Sequence, residues 1–145
     1  DSDIYTLQDL ADKVVAVQST TKPEELFLNA EQNGLPRLRR LYSLQNRDLI
    51  YTTLIKGYAD ALATHESAIR QFMKDYSVEY RILDEPLMTA RLGVAFSKNR
   101  SDDLPQQLTE VFQEMLADGT VRQIVSRYLD DPEHYLDGLE DSTHA

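Results

Sequence analysis

Side chains able to hold a small molecule concentrate at two points of this chain. Ser19-Thr20-Thr21 follows one short apolar run, and Thr64-His65-Glu66 follows another. Three hydroxyls beside the N–H groups that open a helix suit an anion, because a helix start offers unpaired donors and a partial positive charge. At the second point a histidine and an acid stand where a strand end runs into a helix start, the kind of place where α/β proteins hold small ligands. His65 and Glu66 are adjacent, so on a helix their side chains diverge and do not form an acid–base pair.

Other chemistries lack their residues. There is no cysteine, which removes disulfides, thiol catalysis and most structural zinc sites. His134 and His144 stand in an acidic tail, far in sequence from any other candidate. No serine has a nucleophile-elbow context and no glycine-rich phosphate loop occurs. Asp130, Asp131 and Glu133 read as a solvated run rather than a calcium site. The sequence is therefore expected to be no enzyme and to need no metal or cofactor. Arg37, Arg39 and Arg40 form the one basic cluster, which faces either solvent or an acidic partner.

The 25 acidic against 15 basic residues give a net charge of −10. That balance argues against nucleic acid, which needs a basic stripe, and against anionic membrane surfaces. No run of about 18 apolar residues occurs, so no direct membrane insertion is expected. With 145 residues and 41% hydrophobic content, one domain with a real core is the economical reading.

These points must be positioned by an alternating pattern. Leu7–Leu10 reads as a helical turn and Lys13–Gln18 as a buried strand. Thr21 and Glu24 have capping-box spacing, with Pro23 in the first turn, so a helix is predicted from Thr21 to near Gly34. Arg37–Leu44 is a second strand. Asn46 caps a helix with Leu49, Ile50, Leu54 and Ile55 on one face, ended by Gly57. Ala59–Ala63 is a third strand and Glu66–Tyr76 a helix with Ile69, Phe72 and Met73 inward. Val78–Leu83 and Leu92–Ser97 are predicted as fourth and fifth strands. Strand–helix alternation of this kind predicts an α/β fold: a parallel-type sheet in three layers, with helices on both faces.

The last third changes character. Leu104, Leu108, Val111, Phe112, Met115 and Leu116 give a strong amphipathic helix, ended by Gly119. Thr120 with Gln123 repeats the capping-box spacing, and Val121, Ile124, Val125, Tyr128 and Leu129 form a second apolar face. The predicted division is 1–97 for the α/β domain, 98–130 for the two C-terminal helices, and 131–145 for an acidic, disordered tail.

The order of these motifs resembles a known family. Asp9-Leu10 followed by Val14–Gln18 resembles the "D-L-x-G-K-x-V-A-V-Q" entry to the second lobe of periplasmic solute-binding proteins of the polar-amino-acid type. Gly57-Tyr-Ala-Asp60-Ala61 resembles their "G-R-V-D-A". Glu85-Pro86 with Gly93–Lys98 resembles "E-P … G-I-A-V-x-K", and Asp118-Gly119-Thr120 with Ile124 and Tyr128 resembles "D-G-T … I … K-Y". The resemblance spans Asp9 to Leu129.

That resemblance implies a periplasmic or extracellular lobe that binds a small polar solute without catalysis. The same module serves ABC importers and the sensors of histidine kinases, so permease and kinase modules both stand as partners. The family carries a first lobe of roughly a hundred residues, on which the C-terminal helices pack. Their apolar faces are expected to meet that lobe or a second chain, as in a dimer, or to fold back on this sheet.

In the family a Gly-Thr pair after the first strand holds the ligand α-carboxylate, and the match places Thr21 at the threonine and Thr20 at the glycine. Thr21 as a helix cap alone is the alternative. The family acid that pairs with the ligand ammonium falls at His65, five residues after Asp60, and Asp60 is read as structural. Three readings stay open for Thr64-His65-Glu66: a bystander helix start, a His65 contact to an organic acid, or Glu66 replacing the acid. A buried ammonium without a counter-ion costs on the order of 3–5 kcal/mol, so the choice decides the ligand class. An interaction module that keeps the fold and has lost its ligand is the alternative function.

Overall fold

The protein, described by a computed structural model over residues 2–90 and 93–136, forms two compact units, Asp1–Arg91 and Leu92–Ala145. In the first, β1 (Val14–Gln18) lies between β2 (Arg40–Leu44) and β3 (Ala61–Ala63), and both pairings are parallel. A central parallel strand is covered on both faces, and β1 accordingly reads Val-Val-Ala-Val, every one of the four buried.

Side-chain alternation splits this run between two cores. Val15 and Val17 pack with Ile4, Leu10 and Phe27 of α1 (Lys22–Leu28). Val14 and Ala16 pack with Ala59 and Ile50 of α2 (Arg47–Ile55). Helices thus cover both faces of the sheet. α3 (Glu66–Tyr76) buries Ile69 and stands with α2, because Phe72 stacks on Tyr51 at 4.2 Å and Tyr76 continues the aromatic row at 4.6 Å.

Local chemistry sets the ends. The Asn46 side chain accepts from the Asp48 N–H at 2.8 Å and starts α2. The Asp9 carboxylate accepts from the N–H groups of Tyr5 (3.0 Å) and Thr6 (2.8 Å) and from the Thr6 hydroxyl (3.0 Å), opening the 3-10 turn Gln8–Leu10. Asp12 takes a left-handed φ of 57° at the turn into β1, where the family motif has glycine. At that same end of the sheet, Asp60 joins β3 to β1. Its N–H donates to the Val14 carbonyl at 2.8 Å, its carboxylate accepts from the Val14 N–H at 2.7 Å, and Arg39 lies 3.6 Å away.

Several expectations are corrected. Residues 78–83 and 93–97 form no ladder; among the described residues the sheet has three strands. Leu92, where the fifth strand was to begin, lies outside the described residues. The predicted helix to Gly34 stops at Leu28, because the Asn29 and Asn33 side-chain amides cap the carbonyls of Glu25 (2.9 Å) and Leu26 (3.3 Å), and a 3-10 turn Glu31–Asn33 follows. On α2 the buried pair is Ile50 and Tyr51, while Leu49 and Ile55 stay about half exposed. The helix is rotated because Tyr51 is drawn onto Phe72.

The second unit is helical: α4 (Leu104–Ala117), α5 (Thr120–Val125) and α6 (Pro132–Leu136). Val121 is buried, whereas Leu104, Leu108, Val111 and Phe112 are 40–48% exposed. The cap of α5 comes from Asp118, whose carboxylate accepts from the Thr120 N–H at 2.8 Å, rather than from Thr120. The acidic tail begins with helix: Pro132 suits a first turn, and Glu133 pairs with Arg122 at 2.7 Å. Residues 137–145, with His144, lie outside the described residues.

Ile50 is 1% exposed against β1, so Ile50→Ala is expected to cost about 3 kcal/mol, read from urea midpoints. The Tyr51 hydroxyl is buried without a hydrogen-bond partner among the described residues. Tyr51→Phe keeps the stack and is expected to be neutral or stabilising by up to about 1 kcal/mol in the same assay. Hydrogen bonds from the Tyr5 and Thr6 N–H groups hold the Asp9 carboxyl below its ordinary 3.8, and the Thr120 hydroxyl and N–H do the same for Asp118. The charged form therefore favours folding, fully above the ordinary value, and that contribution is lost as pH falls through the lower folded values. Denaturation midpoints are expected to fall on acidification below about pH 5, and Asp9→Asn to flatten part of the decline.

Candidate functional site

The β1–β3 pairing matches Val17 with Ala63. Because the strands are parallel, the segments that follow, Ser19–Thr21 and Thr64–Glu66, leave the sheet at one rim from neighbouring strands. β1 leads to α1 on one face, and β3 leads to α3, which stands with α2 of the other face. Connections that part in this way open a crevice beyond the strand ends, the place where open α/β sheets take ligands. Asp60 bonds the opposite end of β1 and has no part in that rim.

The first turn is tightly wired. The Ser19 N–H donates to the Leu44 carbonyl at 3.0 Å, carrying the β1–β2 ladder one residue further. Thr20 has a φ of 59°, a left-handed conformation that costs an L-residue about 1–2 kcal/mol and suits a β-branched one least. Its N–H donates to Glu24 Oε2 at 2.7 Å and its hydroxyl to the Ser19 carbonyl at 2.6 Å. Thr21 is the N-cap residue in extended conformation, but its hydroxyl turns back to the Gln18 carbonyl at 2.5 Å.

The predicted capping box is thus offset by one residue, with Glu24 reaching Thr20. The physical reason is Pro23: it occupies the second helical position and removes one of the two N–H groups that a Thr21 cap would bond. The Ser43 hydroxyl and the Thr20 N–H hold the Glu24 carboxyl below its ordinary 4.5. A shallow depression of about 400 Å³ adjoins this turn, lined by Thr20, Thr21, Lys22, Glu24, Glu25, Leu28 and Asn29. Another of about 270 Å³ shares only Lys22 with it and includes none of the six candidate residues.

The second turn is simpler. His65 is the N-cap of α3, and its carbonyl accepts from the N–H groups of Ala68 (3.0 Å) and Ile69 (3.1 Å). Its side chain makes no capping bond and is exposed. Glu66 pairs along its own helix with Arg70, at 2.7 Å to both Nε and a terminal nitrogen. Thr64 is half-buried, and none of the three lines either depression. Sequence reasoning passed over Ser43 and Arg70. Arg70 was detectable as an i,i+4 partner of Glu66, whereas Ser43 comes to the rim only through its register opposite Val17.

No family model matches the sequence. The histidine-binding periplasmic protein of Escherichia coli K12 is 33% identical over 138 residues, covering 89% of this chain and 51% of that protein. The Salmonella typhimurium LT2 protein of the same name matches to the same extent. Among solved structures, the substrate-binding protein of an amino acid ABC transporter superposes with a TM-score of 0.67 at 25% identity, over 90% of this chain and 56% of that one. An ancestral arginine-binding protein bound to glutamine gives 0.62 at 23% identity over the same shares, a likeness of fold. The chain spans about half the length of these relatives. In sequence and in fold, it resembles a lobe of a periplasmic solute-binding protein of the polar-amino-acid type.

Proposed function

We propose that this chain binds a small polar solute, an amino acid or an organic acid, without catalysis, as one lobe of a periplasmic or extracellular receptor. The observation that carries this reading is the shared rim: Ser19–Thr21 and Thr64–Glu66 leave adjacent parallel strands side by side. Thr21 and the first-turn N–H groups of α1 receive the ligand carboxylate. Thr64 and His65 form the second wall. Glu66, paired with Arg70, supports α3 more than it replaces the acid that an ammonium would need. An organic acid or a weakly held amino acid fits that inventory better than a tightly held zwitterion.

The exposed apolar residues of α4 are the surface proposed for a further lobe or a second chain, and an ABC permease or a kinase module stands as the downstream partner. The alternative role is an interaction module that keeps the fold without its ligand. One observation favours it: the Thr20 and Thr21 hydroxyls already donate to the Ser19 and Gln18 carbonyls.

Melting temperature and calorimetric titration against a panel of polar amino acids and dicarboxylates separate the two. A cognate solute at a hundredfold its Kd is expected to stabilise the fold by about 2.7 kcal/mol. His65→Ala is expected to weaken that solute at least severalfold. A panel with no shift, tested on the chain alone and joined to a complete receptor partner lobe, sinks the binding reading.

A further inference from the structure

We infer that Glu24 is the positioning residue of the rim: its carboxylate clamps the β1–α1 turn in the left-handed conformation that Thr20 by itself disfavours. Three elements meet at this one side chain. Glu24 belongs to α1 and accepts from the Thr20 N–H of the turn at 2.7 Å, and the Ser43 hydroxyl of β2 helps to keep its carboxyl in the charged form. The turn carries a β-branched residue at a φ of 59°, where glycine is the strain-free choice. A short charge-assisted bond to the N–H of that residue opposes its relaxation toward ordinary extended or helical backbone. Relaxation would also break the Thr20 hydroxyl bond to the Ser19 carbonyl and re-aim Thr21.

Neighbouring charge does not offer a substitute. Glu25 is engaged with Lys22 at 2.5 Å on the outer side of the helix. The turn is also tied to the neighbouring strand β2, through the Ser19 N–H that donates to the Leu44 carbonyl at 3.0 Å. A glutamate that merely started α1 would bond the N-cap residue, Thr21. The bond to Thr20 instead acts on the strained residue.

The test is a two-by-two set of full-chain variants, Glu24→Ala and Thr20→Gly singly and together, with Glu24→Gln as the conservative case. Amide hydrogen exchange and the three-bond amide coupling of residue 20 are read by NMR. Glu24→Ala is expected to speed exchange at the Thr20 amide by about tenfold or more relative to Ala16, the loss corresponding to one hydrogen bond with a charged acceptor. It is also expected to move the coupling away from its left-handed value. Glu24→Gln, which keeps an acceptor oxygen, should fall between. In the Thr20→Gly background the same Glu24→Ala change should leave the coupling nearly unmoved, since glycine holds that conformation without help.

Unchanged exchange at Thr20 in Glu24→Ala overturns the inference. So does equal loosening at Phe27, which marks ordinary helix capping, or failure of Thr20→Gly to rescue. A binding arm rests on the proposed rim reading: Glu24→Ala should weaken a solute that stabilises the parent chain, and added Thr20→Gly should restore it. If the amide results hold while no solute stabilises any variant, the clamp stands and the rim reading falls.

Discussion

The burial of β1 on both faces is the constraint from which the rest of the structure follows. Four consecutive apolar residues cannot satisfy a sheet with one wet face, so the strand must lie inside, with a helix above and another below. Phe27 and Ile50 close those two faces from α1 and α2. Once β1 is central, its two neighbours must be reached by connections that run in opposite directions. The loops leaving β1 and β3 then part above the same rim. The position of the candidate site is therefore a consequence of core formation rather than a separate feature of the sequence.

Register makes that rim definite. A slip of one residue would turn Val15 and Val17 to the wrong core, and the pairing at the start of the strand guards against it. Asp60 supplies that guard: its backbone and carboxylate grip both polar groups of Val14, so the Val17–Ala63 pair at the far end is fixed as well. The turn beyond carries the opposite kind of constraint. Thr20 sits where backbone geometry is unfavourable for it, and the hydrogen bonds around it hold that geometry in place. Order at one end of the strand and strain at the other are both resolved by acidic side chains bonded to backbone N–H groups.

What was legible in the sequence tracks this hierarchy. Strand β1, the Asn46 cap and the α3 limits depend on local pattern and a nearby capping residue, and the sequence pattern identifies them. The extra strands at 78–83 and 93–97 were misread because apolar alternation alone does not supply a neighbour to pair with. The apolar face of α2 was misplaced by one position because Phe72, far along the chain, claims Tyr51. At the rim, hydroxyl-rich composition marked both turns, but composition is silent on direction. That the hydroxyls of Thr20 and Thr21 both turn inward follows from Pro23 and the left-handed residue, two effects that act together only in three dimensions.

Charge completes the argument about what such a rim selects. The chain is acidic overall, yet the carboxylates nearest the two turns are engaged: Glu24 by Thr20, Glu25 by Lys22, Glu66 by Arg70. Under the proposed reading, a ligand meets few uncommitted anions there, and the surrounding negative charge is screened beyond about 10 Å at ordinary salt. Recognition then rests on backbone N–H donors and the His65 imidazole, since the Thr20 and Thr21 hydroxyls already donate to the Ser19 and Gln18 carbonyls. Such a set orients a carboxylate well and an ammonium poorly, because a neutral imidazole gives an ammonium a hydrogen bond without a counter-charge. Under that reading, the histidine that stands at position 65, where the resemblance implies an acid, bears on the kind of solute the rim would favour, while the fold that presents it keeps its β1–β3 register.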